Sequence, residues 1–333
     1  MPDRTLPRIA ISTGDPSGIG PEISLRAALD ATVNSLCRSI LVGDPTVIAR
    51  HARAAGLAPT IHVVTDAKKA AWSNGALDVL AVPLPDGTAF EFGKIDAAYG
   101  RASLASASRA IEAALAGDVD AVVAAPMNQS SIAAAGIAFD GHPGFLARAT
   151  GISQYDVFLM LCFNDTRITH CTLHVRVVDA IALITRERVG RAIRATDAAL
   201  RRIGIAMPKI CVSGLNPHAG EGGLFGREEI EIIAPAIADA QMAGLDVTGP
   251  FGCDTMFGRK NVDAFVVMLH DQGHIAAKLL APYGSAALTI GSPVLFSSVA
   301  HGSAADIAGK GVASPAAMIE AIACLAGVDG KNA

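Results

Sequence analysis

Aromatic side chains are scarce in this sequence, 5% of 333 residues, so packing must rest on Ala, Val, Ile and Leu, as it does in layered α/β proteins with parallel strands. Charge is scarce too. Charged residues make up 17%, the formal net charge is -4, and no Lys/Arg cluster carries interleaved aromatics, which excludes the basic footprint of a nucleic-acid binder. No apolar run approaches the ~20 residues that a membrane helix needs. The six cysteines (Cys37, Cys162, Cys171, Cys211, Cys253, Cys324) include no CxxC and no regular spacing. The opening MPDRTLPRIAIS lacks the layout of a signal peptide, so these thiols are expected to be reduced core residues of a cytoplasmic protein. What is abundant is apolar material: hydrophobic residues reach 51%, enough for a large core, and the length favours roughly two domains.

Short apolar strands alternate with Ala-rich helices. RIAIS (8–12), SILVG (39–43) and DAVVAAP (120–126) read as strands, with helices expected over 22–29, 46–55 and 103–116. DVFLMLC, ITHCTLH and DAIALIT follow as further strand-like runs. A helix over 186–203, KICVSGLNP, a helix over 227–243 and DAFVVMLH complete the pattern. Such alternation implies an α/β protein with right-handed crossovers. Boundaries are expected near Pro126 and Gly291. Apolar strands repeatedly run into loops rich in Gly, Asp, Asn and His, and in open α/β sheets ligands sit at the carboxyl ends of strands.

Three of these loops carry a histidine: His174 in THCTLHVRV, His218 in LNPHAGEGG and His270 in MLHDQGH. Imidazole is the commonest ligand for borderline divalent cations. No two of these three stand at helical i, i+4 spacing from one another, and each alone fits a capped loop residue equally well. Asp271 suits the role of an imidazole's hydrogen-bond partner and also that of a helix N-cap. Lys278, in the apolar run IAAKLLAP, is either an anion clamp or proton carrier or a snorkelling surface residue. STGDPSGIGPE lacks GxGxxG, and its Pro21-Glu22 opens a helix, so it reads as a structural turn and not a pyrophosphate cradle. The glycines of NPHAGEGG fit a flexible loop as well as a functional one.

STGDPSGIGPEI, LNPHAGEGGLFGREE, GPFGCDTMF, LHDQGHIAAK and SSVAHGSAADIAGKG together resemble, in order, the hallmark segments of the 4-hydroxythreonine-4-phosphate dehydrogenase (PdxA) family. The last segment is also similar to the cofactor loop of isopropylmalate and isocitrate dehydrogenases. The resemblance implies their fold: two α/β domains with an interdomain cleft, the first from 1–126 plus 292–333 and the second from 127–291. It makes His174, His218 and His270 ligands of one divalent cation of the zinc, magnesium or cobalt class, contributed by both subunits of a homodimer. It makes His142 and Lys278 substrate-binding residues. NAD would lie on His301, Gly302, Ser303 and Asp306, with Asp254 as a further contact. Lys278 and Asp271 are the candidates for proton transfer and ligand orientation.

The sequence also departs from the pattern. Where family members acting on a phosphorylated amino acid carry Thr, Asn and Arg, this chain has Pro143, Ala287 and Phe296, and a common Lys is Gln129. Charge-assisted bonds to phosphate contribute roughly 1.5–3 kcal/mol each, so their loss disfavours a phosphorylated substrate. LLAPYGSAALTIG and SSVAHGSAADIAG are similar to the terephthalate cis-dihydrodiol dehydrogenase subgroup. The expected reaction is therefore NAD- and metal-dependent oxidative decarboxylation of a cis-dihydrodiol dicarboxylate to protocatechuate and CO2, with Phe296 as an apolar wall. The alternatives are the phosphorylated hydroxythreonine, another phosphorylated four-carbon acid, or a phosphate acyltransferase of the same broad fold.

Overall fold

The computed structural model describes residues 6–73, 75–85, 87–281, 286–299 and 301–327. The PYGS run at 282–285 and the chain-end stretches 1–5 and 328–333, assigned above to the first domain, lie outside them. Elements are numbered along the whole chain. The chain divides into two compact units, the first reaching Gly151 and resuming at Pro293, the second spanning Ile152–Ser292.

The first unit is a parallel sheet built from β1 (Arg8–Ser12), β2 (Arg38–Gly43), β3 (Ile61–Val64), β4 (Leu77–Ala81), β5 (Ala121–Ala124) and β12 (Leu295–Ser298). Its order is β3-β4-β2-β1-β5-β12. β1 is central, pairing Ile9 with Ser39 on one side and with Ala121 on the other. Strands covered on both faces need continuous apolar runs, and AVVA of β5 is buried at every position.

Helices α1 (Gly20–Ala28), α2 (Ala31–Leu36), α3 (Pro45–Ala54), α4 (Ala97–Leu115), α5 (Gln129–Ala134), α6 (His142–Thr150) and α12 (Ala316–Leu325) belong to this unit. Several start on carboxylate or amide caps. Asp44 accepts from the amides of Thr46 and Val47, and Asp96 from that of Ala98. The Asp96 cap explains why α4 begins six residues before the expected Ser103. Residues 127–151 pack here and not in the second unit. Ile132 of α5 lies against Leu104 and Ala107 of α4, and Leu146 of α6 joins the core around Val122 and Ala124. Pro126 therefore turns the chain without ending the unit.

The second unit contains β6 (Phe158–Phe163), β7 (Thr166–His170), β8 (Lys209–Ser213), β9 (Asp246–Phe251), β10 (Ala264–Val267) and β11 (Ala286–Ile290). Their order is β11-β6-β7-β10-β8-β9. β11–β6 and β6–β7 are antiparallel, and the remaining pairs are parallel. The helices are α7 (Val177–Leu183), α8 (Arg186–Arg202), α9 (Ala234–Met242), α10 (Cys253–Met256) and α11 (His270–Leu280).

DAIALIT, read as strand-like, lies mostly in α7. Arg176 clasps Asp179 in the first turn and Thr185 caps α8, so the short apolar run is committed to helix at both ends. The helix expected over 227–243 opens with a wide π-type turn, Glu229–Ile233, before α9.

Candidate active-site residues

His270 does not end a strand; it is the first residue of α11. Gln272 fixes this start. Its Oε1 accepts from the amides of Met268 and Leu269, both at 2.9 Å, and its Nε2 donates to the carbonyl of Gly214 at 3.1 Å. His270 Nδ1 is 2.7 Å from Asp271 Oδ1. A carboxylate only accepts, so Nδ1 carries the proton and Nε2 keeps a bare lone pair, the form that binds a cation. The His174 ring, in the loop after β7, is centred 5.5 Å from that of His270.

Two further histidines extend the cluster, and sequence reasoning did not assign them. His274 stacks on His270 with centroids 3.7 Å apart and 10° between the planes. Its Nδ1 lies 3.1 Å from His170 Nε2, and His170 Nδ1 lies 3.3 Å from the carbonyl of Leu159. The carbonyl assigns the His170 proton to Nδ1, which makes its Nε2 an acceptor. His274 must then donate from Nδ1, leaving its own Nε2 bare. Burial, then the neighbouring imidazoles, push His170 down to about 3 and His274 to about 4. Gly273 permits the approach of helix to strand, because a Cβ there would stand 2.3 Å from His170 Nε2. The signal was present in the sequence: His270 and His274 are four apart, the spacing of one helix face. Lys278 continues that face one turn on, and its side chain is exposed, so its own chain does not supply the desolvation that the apolar sequence context suggested.

His218 occupies a different setting. From His218 to Gly222 five successive residues are left-handed, with φ of 53°, 52°, 79°, 44° and 67°. Three of them bear a Cβ, and each costs about 1–2 kcal/mol in this conformation. NPHAGEGG is thus a strained, defined turn and not a flexible loop. His218 Nδ1 is 3.4 Å from Glu221 Oε2. Beneath the turn lies Glu229, only 3% exposed. Its Oε1 accepts from the amides of Leu215 and Asn216, each at 2.7 Å, and its Oε2 from Asn216 Nδ2 at 3.0 Å. Burial pushes this carboxyl up, but the Asn216 and Leu215 donors outweigh it and hold the group below its ordinary value.

The His270 tautomer leaves an imidazole nitrogen free for a cation, with the His174 ring centred 5.5 Å away. Among the described residues, however, no three His, Cys, Asp or Glu side chains of one chain are grouped to hold a metal. Ala287, on β11, is half-buried beside the core around Leu161 and Phe265. Asp254 is exposed on α10.

In the first unit, Gly141 (φ 93°) leads into α6, whose first residues are His142 and Pro143. Pro143 needs no backbone donor in a first turn, which accounts for its presence there. The His142 ring lies 5.9 Å from Phe139 and 5.8 Å from Phe296. Its Nε2 is buried without a hydrogen-bond partner, and burial lowers its pKa to about 4. Phe296 is corrected from the wall expected above. It is fully buried in the core with Val122, Ala124 and Leu146, so its ring offers no surface to a ligand.

The 301–306 loop presents His301, Gly302 and Asp306 to solvent, with Ser303 tucked inward. The Ser303 carbonyl accepts from the amide of Ile19 at 2.8 Å, and its Oγ lies 3.2 Å from Asn128 Nδ2. STGDPSGIG is buried throughout and buttresses that loop from beneath. Within it Asp15 accepts from Ser17 through Oδ1, and burial, opposed by the Ser17 and Ser131 donors, raises the carboxyl's pKa.

Residues 35–325 match the family model described as pyridoxal phosphate biosynthetic protein PdxA. A D-threonate 4-phosphate dehydrogenase of Cupriavidus necator is 38% identical, with 95% of this chain and 96% of that protein covered. A 4-hydroxythreonine-4-phosphate dehydrogenase structure from Burkholderia phymatum is 39% identical at a TM-score of 0.89, covering 97% of this chain and 98% of that one. A terephthalate 1,2-cis-dihydrodiol dehydrogenase structure from Burkholderia xenovorans LB400 is 42% identical at a TM-score of 0.79, with the same shares covered. The chain belongs to the PdxA family, and the relatives named here are dehydrogenases.

Proposed function

We propose that this protein is a nicotinamide- and divalent-cation-dependent dehydrogenase that oxidises a hydroxyl close to a carboxylate on a small acidic substrate. The observation that carries the reading is His270, whose proton is held on Nδ1 by Asp271 so that Nε2 is left as an acceptor, with the His174 ring centred 5.5 Å away. His174, His218 and His270 would hold the cation, with a second copy of the chain completing the set. Exposed apolar residues in the second unit, among them Val177 and Val178 of α7, Phe225, and Ile275 and Leu279 of α11, support a homodimer.

When bound, the cation would act as a Lewis acid on the reacting oxygen and the nicotinamide would accept hydride. The chain's own residues do the rest. Asp271 keeps the His270 tautomer. Lys278, two turns along the same helix face, places a positive charge for the substrate carboxylate. His142, at the start of α6, would contact the substrate, and the 301–306 loop would hold NAD. The alcohol becomes a ketone as hydride and proton leave, and a ketone β to a carboxylate then loses CO2.

Two substrate classes meet this description. A phosphorylated four-carbon hydroxy acid is favoured by the relatives named for D-threonate 4-phosphate and 4-hydroxythreonine 4-phosphate. A terephthalate-type cis-dihydrodiol dicarboxylate, giving protocatechuate, is favoured by Pro143 and Ala287, neither of which offers phosphate a donor side chain. The dehydrogenase relatives speak against an acyltransferase. Reduced-nicotinamide formation should be followed with each of these compounds, with and without a chelator. Turnover of one class, abolished by chelation, is expected; no turnover of any, or turnover indifferent to chelation, would defeat the proposal.

A further inference from the structure

The left-handed turn at 218–222 raises the question of what holds it. Its two internal glycines make positive φ cheap at 220 and 222 only, whereas His218, Ala219 and Glu221 must be kept there by something else. Against the inside of the turn lies the carboxylate of Glu229, with the Gly226 carbonyl beside it. The carboxylate gathers the amides of Leu215 and Asn216 at the turn's entrance and the side-chain amide of Asn216. The turn is shaped around it. A Cβ on Gly220 would lie 2.7 Å from Glu229 Oε2, and one on Gly214 would lie 3.0 Å from Oε1. The exit is closed by the Phe225 amide donating to the Gly220 carbonyl at 3.1 Å. Every donor named on the carboxylate is an amide, two of them from the backbone, and among the described residues the group is not one half of an ion pair. It also sits where the helical chain widens into the π-type turn Glu229–Ile233, which sets the carboxylate's approach to the turn.

We propose that Glu229 is a positioning residue for His218. Its buried carboxylate, more than the local glycines, holds 218–222 left-handed and so aims the imidazole. This rests on the reading of His218 as a cation ligand, and the experiment separates the two. Glu229→Gln replaces an acceptor oxygen with an amide donor opposite Asn216 Nδ2 while keeping the side chain's size. In the metal-free protein, hydrogen exchange at the amides of Leu215, Asn216 and Phe225 should speed by at least about tenfold, with exchange in β6, β7 and β10 unchanged. Zinc or cobalt titrated into the same protein should bind about 10–100-fold more weakly, the range for losing a group that orients a ligand.

Ala219→Gly serves as the second variant, since it relieves strain but leaves the carboxylate in place. It should raise the melting temperature and leave cation affinity within about twofold. Unchanged exchange in Glu229→Gln, or a loss of affinity in Ala219→Gly as large as in Glu229→Gln, would overturn the proposal. If His218→Ala binds the cation normally while Glu229→Gln still loosens the turn, the ligand reading fails and the structural half of this inference stands.

Discussion

His51, on α3, is 1% exposed, and its Nε2 lies 2.9 Å from the carbonyl of Pro16. The carbonyl assigns the proton to Nε2, leaving Nδ1 buried and unpartnered among the described residues, in a ring that packs against Phe90 and Phe92. Protonating Nδ1 would bury a charge and an unmet donor, so burial lowers the pKa from 6.5 to about 4. The sign follows from linkage. Below pH 6.5 the unfolded chain takes up a proton that the folded chain refuses until about pH 4, so stability falls as pH falls through this window. At pH 5 the gap is one and a half pH units at about 1.4 kcal/mol each, or about 2 kcal/mol. His51→Gln keeps a donor for Pro16 and removes the titration. Denaturant unfolding followed by Trp72, the chain's single tryptophan and a first-unit residue, should show the native protein losing about 2 kcal/mol more than the variant between pH 7.5 and pH 5. Equal losses would refute the buried neutral imidazole.

Phe296→Ala should cost about 3–5 kcal/mol of first-unit stability, measured by the same unfolding, because the ring lies wholly inside the core. A loss under 1 kcal/mol would mean that the ring is not packed as described. Asp271→Asn should weaken cation binding about 10–100-fold by titration calorimetry while barely moving the melting temperature, since the carboxylate is 79% exposed. Asp44→Ala should cost about 1–2 kcal/mol, because Asp44 caps α3 and also accepts from the amide of Leu84.

Apolar runs such as RIAIS and DAVVAAP are legible as strands because burial on both faces leaves them few polar residues. The same property hid the role of Phe296. LFSS is buried at every position, and nothing in its sequence tells which face meets core and which meets a ligand. α7 was misread because its apolar residues lie on an exposed surface, and periodicity cannot distinguish an uncovered helix face from a buried strand. The segments carrying His174, His218 and His270 could be picked out from composition alone, although His270 proves to open a helix. His170 could not, since a histidine in a strand declares its partners only when a helix is laid against it. Glu229 was equally silent: it stands eleven residues beyond His218, and only the left-handed path of the chain brings its carboxylate beneath the turn.

The most direct measurement is complementation between two inactive variants. His218→Ala and His270→Ala, each purified alone, should show no cation-dependent reduction of nicotinamide. Co-expressed, they should assemble mixed dimers in which one of the two sites recovers all three imidazoles, giving about a quarter of native activity under random pairing. Activity no greater than that of either variant alone, despite mixed dimers demonstrated by differential tags, would contradict a cation held jointly by two copies of this chain.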